Sequence, residues 1–151
     1  MDSIEVLRRS DVFHYLKEDD LKIIAGMCTT EEFEPGKIIF RHGQEAEKIY
    51  VIEEGLVSIL IEPGPRDRRQ IQTASNFQCF GWAAMIPPYW HLRTVQTIEM
   101  TKVYSFKGKE LCALVETEPK LFASIIVGVA YVISQRLKVA FDQLMGSTYQ
   151  D

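Results

Sequence analysis

Cysteine, histidine and basic residues are all scarce in this chain of 151 residues, and each scarcity excludes something. The three cysteines, Cys28, Cys79 and Cys112, are odd in number, far apart and in no Cys-x-x-Cys spacing. Neither a disulfide framework nor a zinc cluster is expected, and isolated thiols suit a reducing cytoplasm. The histidines His14, His42 and His91 never recur at i,i+2, so no strand presents the imidazoles of a barrel metal site. There is no nucleophile elbow, P-loop or His-Glu-x-x-His run. The acidic pairs Glu31-Glu32 and Glu53-Glu54 lie beside turns, where solvated carboxylates are ordinary. Nothing points to an enzyme or a cofactor. The net charge is -4, and the one dense basic cluster, Arg66, Arg68 and Arg69, is broken by Asp67. A duplex needs a broad basic face, so direct nucleic-acid binding is not expected. Residues 1–9 hold no signal-peptide core. The longest apolar stretch, residues 121–133, is short for a bilayer and carries Ser124 and Gly128. A cytoplasmic protein with no membrane partner is the expectation.

What is present fits one globular domain over residues 1–151, with 46% hydrophobic and 25% charged residues. The first thirty residues read as helical. Ser3 can cap a helix over residues 3–9, residues 11–16 form a short turn, and residues 18–27 carry Leu21, Ile24 and Ala25 on one face. Between residues 30 and 106 the pattern becomes short apolar runs broken by turn residues. Pro35-Gly36, Gly43, Gly55 and Pro63-Gly64-Pro65 separate runs at 38–40, 49–52, 56–61 and 71–74, with further runs at 92–98 and 101–106. Such spacing predicts an all-β barrel, roll or sandwich. Helical periodicity returns over 109–115. It continues from Pro119 to about 145, where Gly146 offers a stop. In that last helix Phe122, Ile126, Val129, Ile133, Leu137 and Leu144 are assigned to the roll, with Ala140 a further apolar position. The apolar surface is more than one packing face needs, which favours a homodimer along the helix.

The segment 33–57 reads Phe-x-Pro-Gly-x-Ile-x-Phe-x-x-Gly, then Ile-Tyr-x-Ile-x-x-Gly-x-Val. With Phe80-Gly81 and Thr94-Val95 in order downstream, this resembles the cyclic-nucleotide-binding domain family over most of the chain. The run Gly81-Trp82-Ala83-Ala84 is similar to a bacterial branch with a Gly-Trp-Ser-Ala-type cassette. The resemblance implies an α+β fold: a jelly-roll-like double-stranded β-helix over about 30–107, N-terminal helices, and C-terminal helices over about 109–145 whose last member acts as a lid. It also implies a regulatory module that senses a small molecule, cAMP, cGMP or a related phosphorylated ligand, and signals through the lid. The alternative is a dimerising adaptor that binds no nucleotide. The family often joins this domain to a DNA-reading segment; none follows the lid here, so a partner is expected to supply one.

The resemblance also nominates site residues. Family members place a glutamate after the cassette glycine, for a ribose hydroxyl, and an arginine before the Thr-Val pair, for the phosphate. Trp82 stands at the first position and His91 at the second. The expected ligand-binding set is Gly81, Trp82, Ala83, Ala84, His91, Arg93, Thr94 and Phe141. His91 and Arg93 would share a strand face, letting Arg93 replace the missing arginine or merely sit at the rim. Trp82 would stack on a ligand ring or fill the cavity, and Phe141 would close over the ligand from the lid.

Overall fold

The computed structural model describes residues 1–149, with side chains through Gly146. Helices α1 (Ser3–Arg9) and α2 (Glu18–Ala25) lead into eight strands: β1 (Thr29–Phe33), β2 (Ile38–Phe40), β3 (Lys48–Glu54), β4 (Leu56–Gly64), β5 (Asp67–Ser75), β6 (Cys79–Phe80), β7 (Thr94–Thr97) and β8 (Thr101–Lys107). Helices α3 (Gly108–Thr117) and α4 (Pro119–Tyr149) follow, and a 3₁₀ turn, Trp82–Met85, lies between β6 and β7. The strands form two four-stranded antiparallel sheets, in the orders β1-β8-β3-β6 and β2-β7-β4-β5. This is the expected roll with flanking helices.

Strand β3 shows why both layers hold. It carries an unbroken apolar run, Ile49-Tyr50-Val51-Ile52, because both of its faces are covered. Alternation sends Tyr50 and Ile52 into the core between the sheets, with Phe40, Val57, Ile59, Phe80, Val95 and Val103. It sends Ile49 and Val51 into a second core with Val12, Phe13, Phe106, Leu111, Leu121 and Ile125. The first sheet is thus the wall shared by the roll and the helices.

Several local expectations are corrected. Asp2, not Ser3, caps α1, its carboxylate accepting from the Glu5 N–H at 2.9 Å. Strand β7 starts at Thr94, so residues 91–93 are loop. Gly146 does not stop α4, which runs on to Tyr149. The helix is consequently longer than its unbroken apolar stretch, and over Pro119–Gly146 it has the length and composition that would cross a membrane. Its inward residues, Leu121, Ile125, Val129 and Val132, are nonetheless buried in the helical core.

The packing face of α4 also differs from the expected one. Ile126, Leu137 and Leu144 are exposed, while Val129 is inward as expected. Both sides of the helix are apolar, so periodicity alone leaves its rotation open. Gly128 settles it. A Cβ there would stand 1.7 Å from the Val12 carbonyl oxygen, so only a residue without a side chain lets the helix backbone lie on the N-terminal segment. Gly128→Ala is expected to destabilise the fold by about 1–3 kcal/mol through overpacking. Gly146→Ala, with open space around the new methyl, is expected to be neutral or stabilising by up to about 1 kcal/mol. Thermal unfolding followed by circular dichroism compares the two; equal melting temperatures would contradict the close contact at Gly128.

Candidate functional site

Strand β6 ends at Phe80, and the chain must turn at once into the 3₁₀ segment. Gly81 makes that turn with φ +82°. A Cβ at Gly81 would lie 2.9 Å from the Lys48 carbonyl oxygen and 3.2 Å from the Tyr50 ring, so glycine is required on both counts. Trp82 and Ala83 follow and face the loop 91–93 across a recess. Its other walls are Phe40, Ile59, Phe80 and Val95, with Leu92 at the loop. The recess has about 400 Å³ of atom-free space counting its open mouth. A water-sized sphere can centre itself in only about 60 Å³ of that space.

Five of the eight nominated residues, Gly81, Trp82, Ala83, His91 and Arg93, line this recess. Ala84, Thr94 and Phe141 do not. Ala84 is buried, its carbonyl oxygen packed so tightly on Gly108 that a Cβ there would come within 2.2 Å. Thr94 is buried with its hydroxyl on the other side of β7, donating to Glu62 and accepting from the His42 N–H at 3.0 Å. Alternation gives the recess Val95 in its place. The Phe141 ring is 57% exposed.

His91 is not a counter-charge. Its ring is 4% exposed and stacks on Phe40, with centroids 3.5 Å apart and planes 4° from parallel. Its main chain is fixed by bonds from its N–H to Gln44 O (2.9 Å) and from Gly43 N–H to its carbonyl (2.8 Å). Burial pushes the imidazole down to about 4, so it is neutral at ordinary pH. Arg93 is exposed and donates from Nη1 to the Leu92 carbonyl at 2.7 Å. Among the described residues it is the one charged side chain on the recess wall. Among the described residues no three of histidine, cysteine, aspartate and glutamate are grouped to hold a metal. The paired acids are tied locally: Glu31 to Lys48 at 3.2 Å, and Glu53 to Lys102 at 3.1 Å and to the Tyr104 hydroxyl at 2.9 Å.

Arg136 was not among the expected residues. It reaches from α4 to the second sheet and to β6, donating to Thr73 O and Cys79 O, each at 3.1 Å. Its guanidinium carbon lies 6.0 Å from the Trp82 ring centroid, at the outer reach of a cation–π contact. Two more bonds pin α4 to β5, from Gln72 Nε2 to the Arg136 carbonyl (3.0 Å) and from Gln143 Nε2 to the Ile71 carbonyl (2.6 Å). Asp11 completes the network by accepting from the Cys79 N–H at 3.0 Å. Burial pushes its carboxyl up to about 6, against the pull of that bond and of Arg136. The sequence signal was a lone arginine four residues beyond Val132, on the side of the helix that points inward.

Residues 30–118 match the cyclic nucleotide-binding domain family. A protein of Rhodopseudomonas palustris described as a potassium channel protein is 28% identical over 120 residues, which is 80% of this chain and 29% of that protein. The chain therefore spans less than a third of that relative. A crystal structure described as a cyclic nucleotide-binding protein of Geobacter metallireducens superposes with a TM-score of 0.78 at 24% identity, over 91% of this chain and 99% of that one. A cyclic nucleotide-binding domain from Methylobacillus flagellatus gives 0.84 at 13% identity, over 99% and 84%. At these identities the structural likeness speaks for the fold.

The protonation of His91 has a sign that can be checked. With a folded value near 4 against an ordinary 6.5, the unfolded chain binds the proton first. Its contribution is complete above 6.5 and is lost as pH falls toward 4. Asp11 acts oppositely, losing its contribution as pH rises through about 6. Replacing His91 with Phe is expected to make stability less sensitive to acid across the interval from about 6.5 to 4. The wild-type ring carbons are expected to keep neutral-imidazole NMR shifts down to about pH 5. Titration of that ring with a midpoint above about 6 would contradict its burial as a neutral group.

Proposed function

The chain belongs to the cyclic nucleotide-binding domain family, and on that premise we propose that it is a ligand-sensing regulatory module. A small anionic molecule occupies the recess between Gly81-Trp82-Ala83 and the loop 91–93, and α4 carries the signal. The observation that supports this is Arg136, which joins the lid helix to the strand leading into the recess and lies over Trp82, a recess wall. Occupancy that moves Trp82 changes the seat of Arg136. A ligand shifts α4 only by its different affinity for the two arrangements.

Domains of this family are generally regulatory, not catalytic. Within the family we assign the chain to the branch with a Gly-Trp-Ser-Ala-type cassette, on the strength of Gly81-Trp82-Ala83-Ala84. Residues 1–151 act as one such domain. Three separate free thiols support a reducing, cytoplasmic setting.

Two measurements test the relay. Arg136→Met keeps the aliphatic stem and removes both bonds to carbonyls, interactions worth about 1.5–3 kcal/mol each for a charged donor. Amide exchange in residues 137–146 is expected to quicken by about tenfold or more, and an unchanged rate would remove Arg136 from the relay. Titration with cAMP, cGMP and other small organic anions follows melting temperature. At 100 times its Kd a ligand stabilises by about 2.7 kcal/mol, a rise of about 5–10 °C for a domain of this size. A screen in which no anion raises melting temperature at millimolar concentration would leave the adaptor reading in its place.

A second reading has its own observation. Val127, Ala130, Ser134, Leu137 and Phe141 recur at alternating steps of three and four, and all are exposed on the face of α4 turned from the roll. That is the seam of a two-stranded coiled coil. We propose that it pairs with a second copy, so that the module is a homodimer. Leu137→Glu is expected to convert a dimer to a monomer in sedimentation velocity, and a wild-type chain that sediments as a monomer at high concentration would overturn the pairing.

A further inference from the structure

The proposed sensing role leaves the ligand's chemistry open, and the recess is specific about it. Among the described residues, no aspartate, glutamate, asparagine, glutamine, serine or threonine lines it. The sugar of a 3′,5′-cyclic nucleotide keeps one free hydroxyl, and among these side chains the neutral imidazole of His91 is the acceptor for it, since Trp82 offers one N–H and no acceptor. A buried hydroxyl left without a partner costs affinity, on the order of a hundredfold for an apolar pocket. The walls instead are Phe40, Ile59, Phe80, Trp82, Leu92 and Val95.

Charge is equally restricted. Among the described residues Arg93 is the single cationic wall residue, and it stands at the exposed side with one guanidinium nitrogen already engaged by the Leu92 carbonyl. The remaining donors suit one planar anionic group in a forked geometry, and a carboxylate matches that fork. The Phe40–His91 stack, with rings nearly parallel, gives the interior a flat wall. The narrow space favours a flat body over a puckered sugar with a base attached.

Resting on the reading of this recess as a sensor's ligand site, we propose that its ligand is a compact aromatic monocarboxylate. The ring lies among Phe40, Phe80 and Trp82, and the carboxylate meets Arg93 at the mouth. This is a different ligand class from a cyclic nucleotide, whose sugar would face walls that are mostly apolar side chains.

The test uses benzoate, phenylacetate and 2-naphthoate as probes, with 2-naphthamide as the uncharged counterpart and cAMP as the competing class. Isothermal calorimetry gives affinities, and the Trp82 indole N–H shift in NMR gives location. At least one carboxylate is expected to bind about tenfold tighter than cAMP and to move the Trp82 signal. The amide is expected to bind about tenfold more weakly than 2-naphthoate. Arg93→Gln, at an exposed position, is expected to lose about tenfold for the carboxylates with melting temperature unchanged. Tighter binding of cAMP than of every carboxylate would overturn the ligand class and leave the sensing role standing. Equal binding of amide and acid, or full affinity in Arg93→Gln, would overturn the anionic contact. Silence from carboxylates and cAMP alike would overturn the sensing role and the ligand class together.

Discussion

The seating of α4 on the N-terminal segment constrains more of this molecule than any other contact. The helix backbone reaches the Val12 carbonyl at a place where even a methyl group would collide, so its rotation is fixed at Gly128. From that point the helical repeat dictates the rest. Leu121, Ile125, Val129 and Val132 fall into the core, and Arg136 arrives over β5 and β6. Val127, Leu137 and Phe141 are left on the outside. A helix turned by one residue would bury a different apolar set at similar cost. It would also carry Arg136 away from Cys79 and Trp82, so hydrophobicity holds the helix down while the missing side chain decides which face is down.

This explains why the roll was legible in the sequence and the helix rotation was not. The strand corners announce themselves through Pro35-Gly36, Gly43 and Gly55, and the unbroken run at residues 49–52 marks a strand covered on two sides. Those signals are local. The phase of α4 is set by a tertiary contact with a segment more than a hundred residues earlier, and an apolar pattern on both faces gives no local preference. The loop 91–93 was misjudged for a related reason: the strand begins only at Thr94, and the backbone before it is tied to Gln44 and Gly43 rather than to a sheet ladder. His91 and Arg93 still share the recess, but loop bonding rather than strand alternation brings them there. Thr94, in the strand proper, obeys alternation and faces Glu62 on the other side.

The electrostatics of the recess follow from what the walls bury. An imidazole pressed flat on Phe40 and shut from water loses its charged form, so a residue that would be a weak cation in solution is a neutral wall here. Arg93 stays at the exposed side. The two positions that carry opposite roles in the resembling family, an acceptor and a cation, are thus an indole and a neutral imidazole. Among the described residues, charge on the recess wall is thus reduced to the one guanidinium of Arg93, beside walls that are mostly apolar.

The two faces of α4 then form one device. Its inward side is bonded to β5 and β6 through Arg136, Gln143 and the Arg136 carbonyl, and the bond to the Cys79 carbonyl reaches the edge of the helical core. Beyond Val132 and Ile133, which still pack on the helical core, the described contacts of the helix with β5 and β6 are mainly these polar bonds. Such a segment opens at lower free energy than the core-bound half, which is where a ligand of modest affinity has leverage. Leu137 and Phe141, on the outward stripe, sit on the same weakly held half. A shift of Trp82 that loosens or tightens Arg136 must alter how steadily those two side chains are presented, because they are fixed to the same turns of helix. In the proposed module, occupancy and pairing would be coupled through these turns, and the coupling would be reciprocal: a second copy that steadies the outward stripe would also steady the recess.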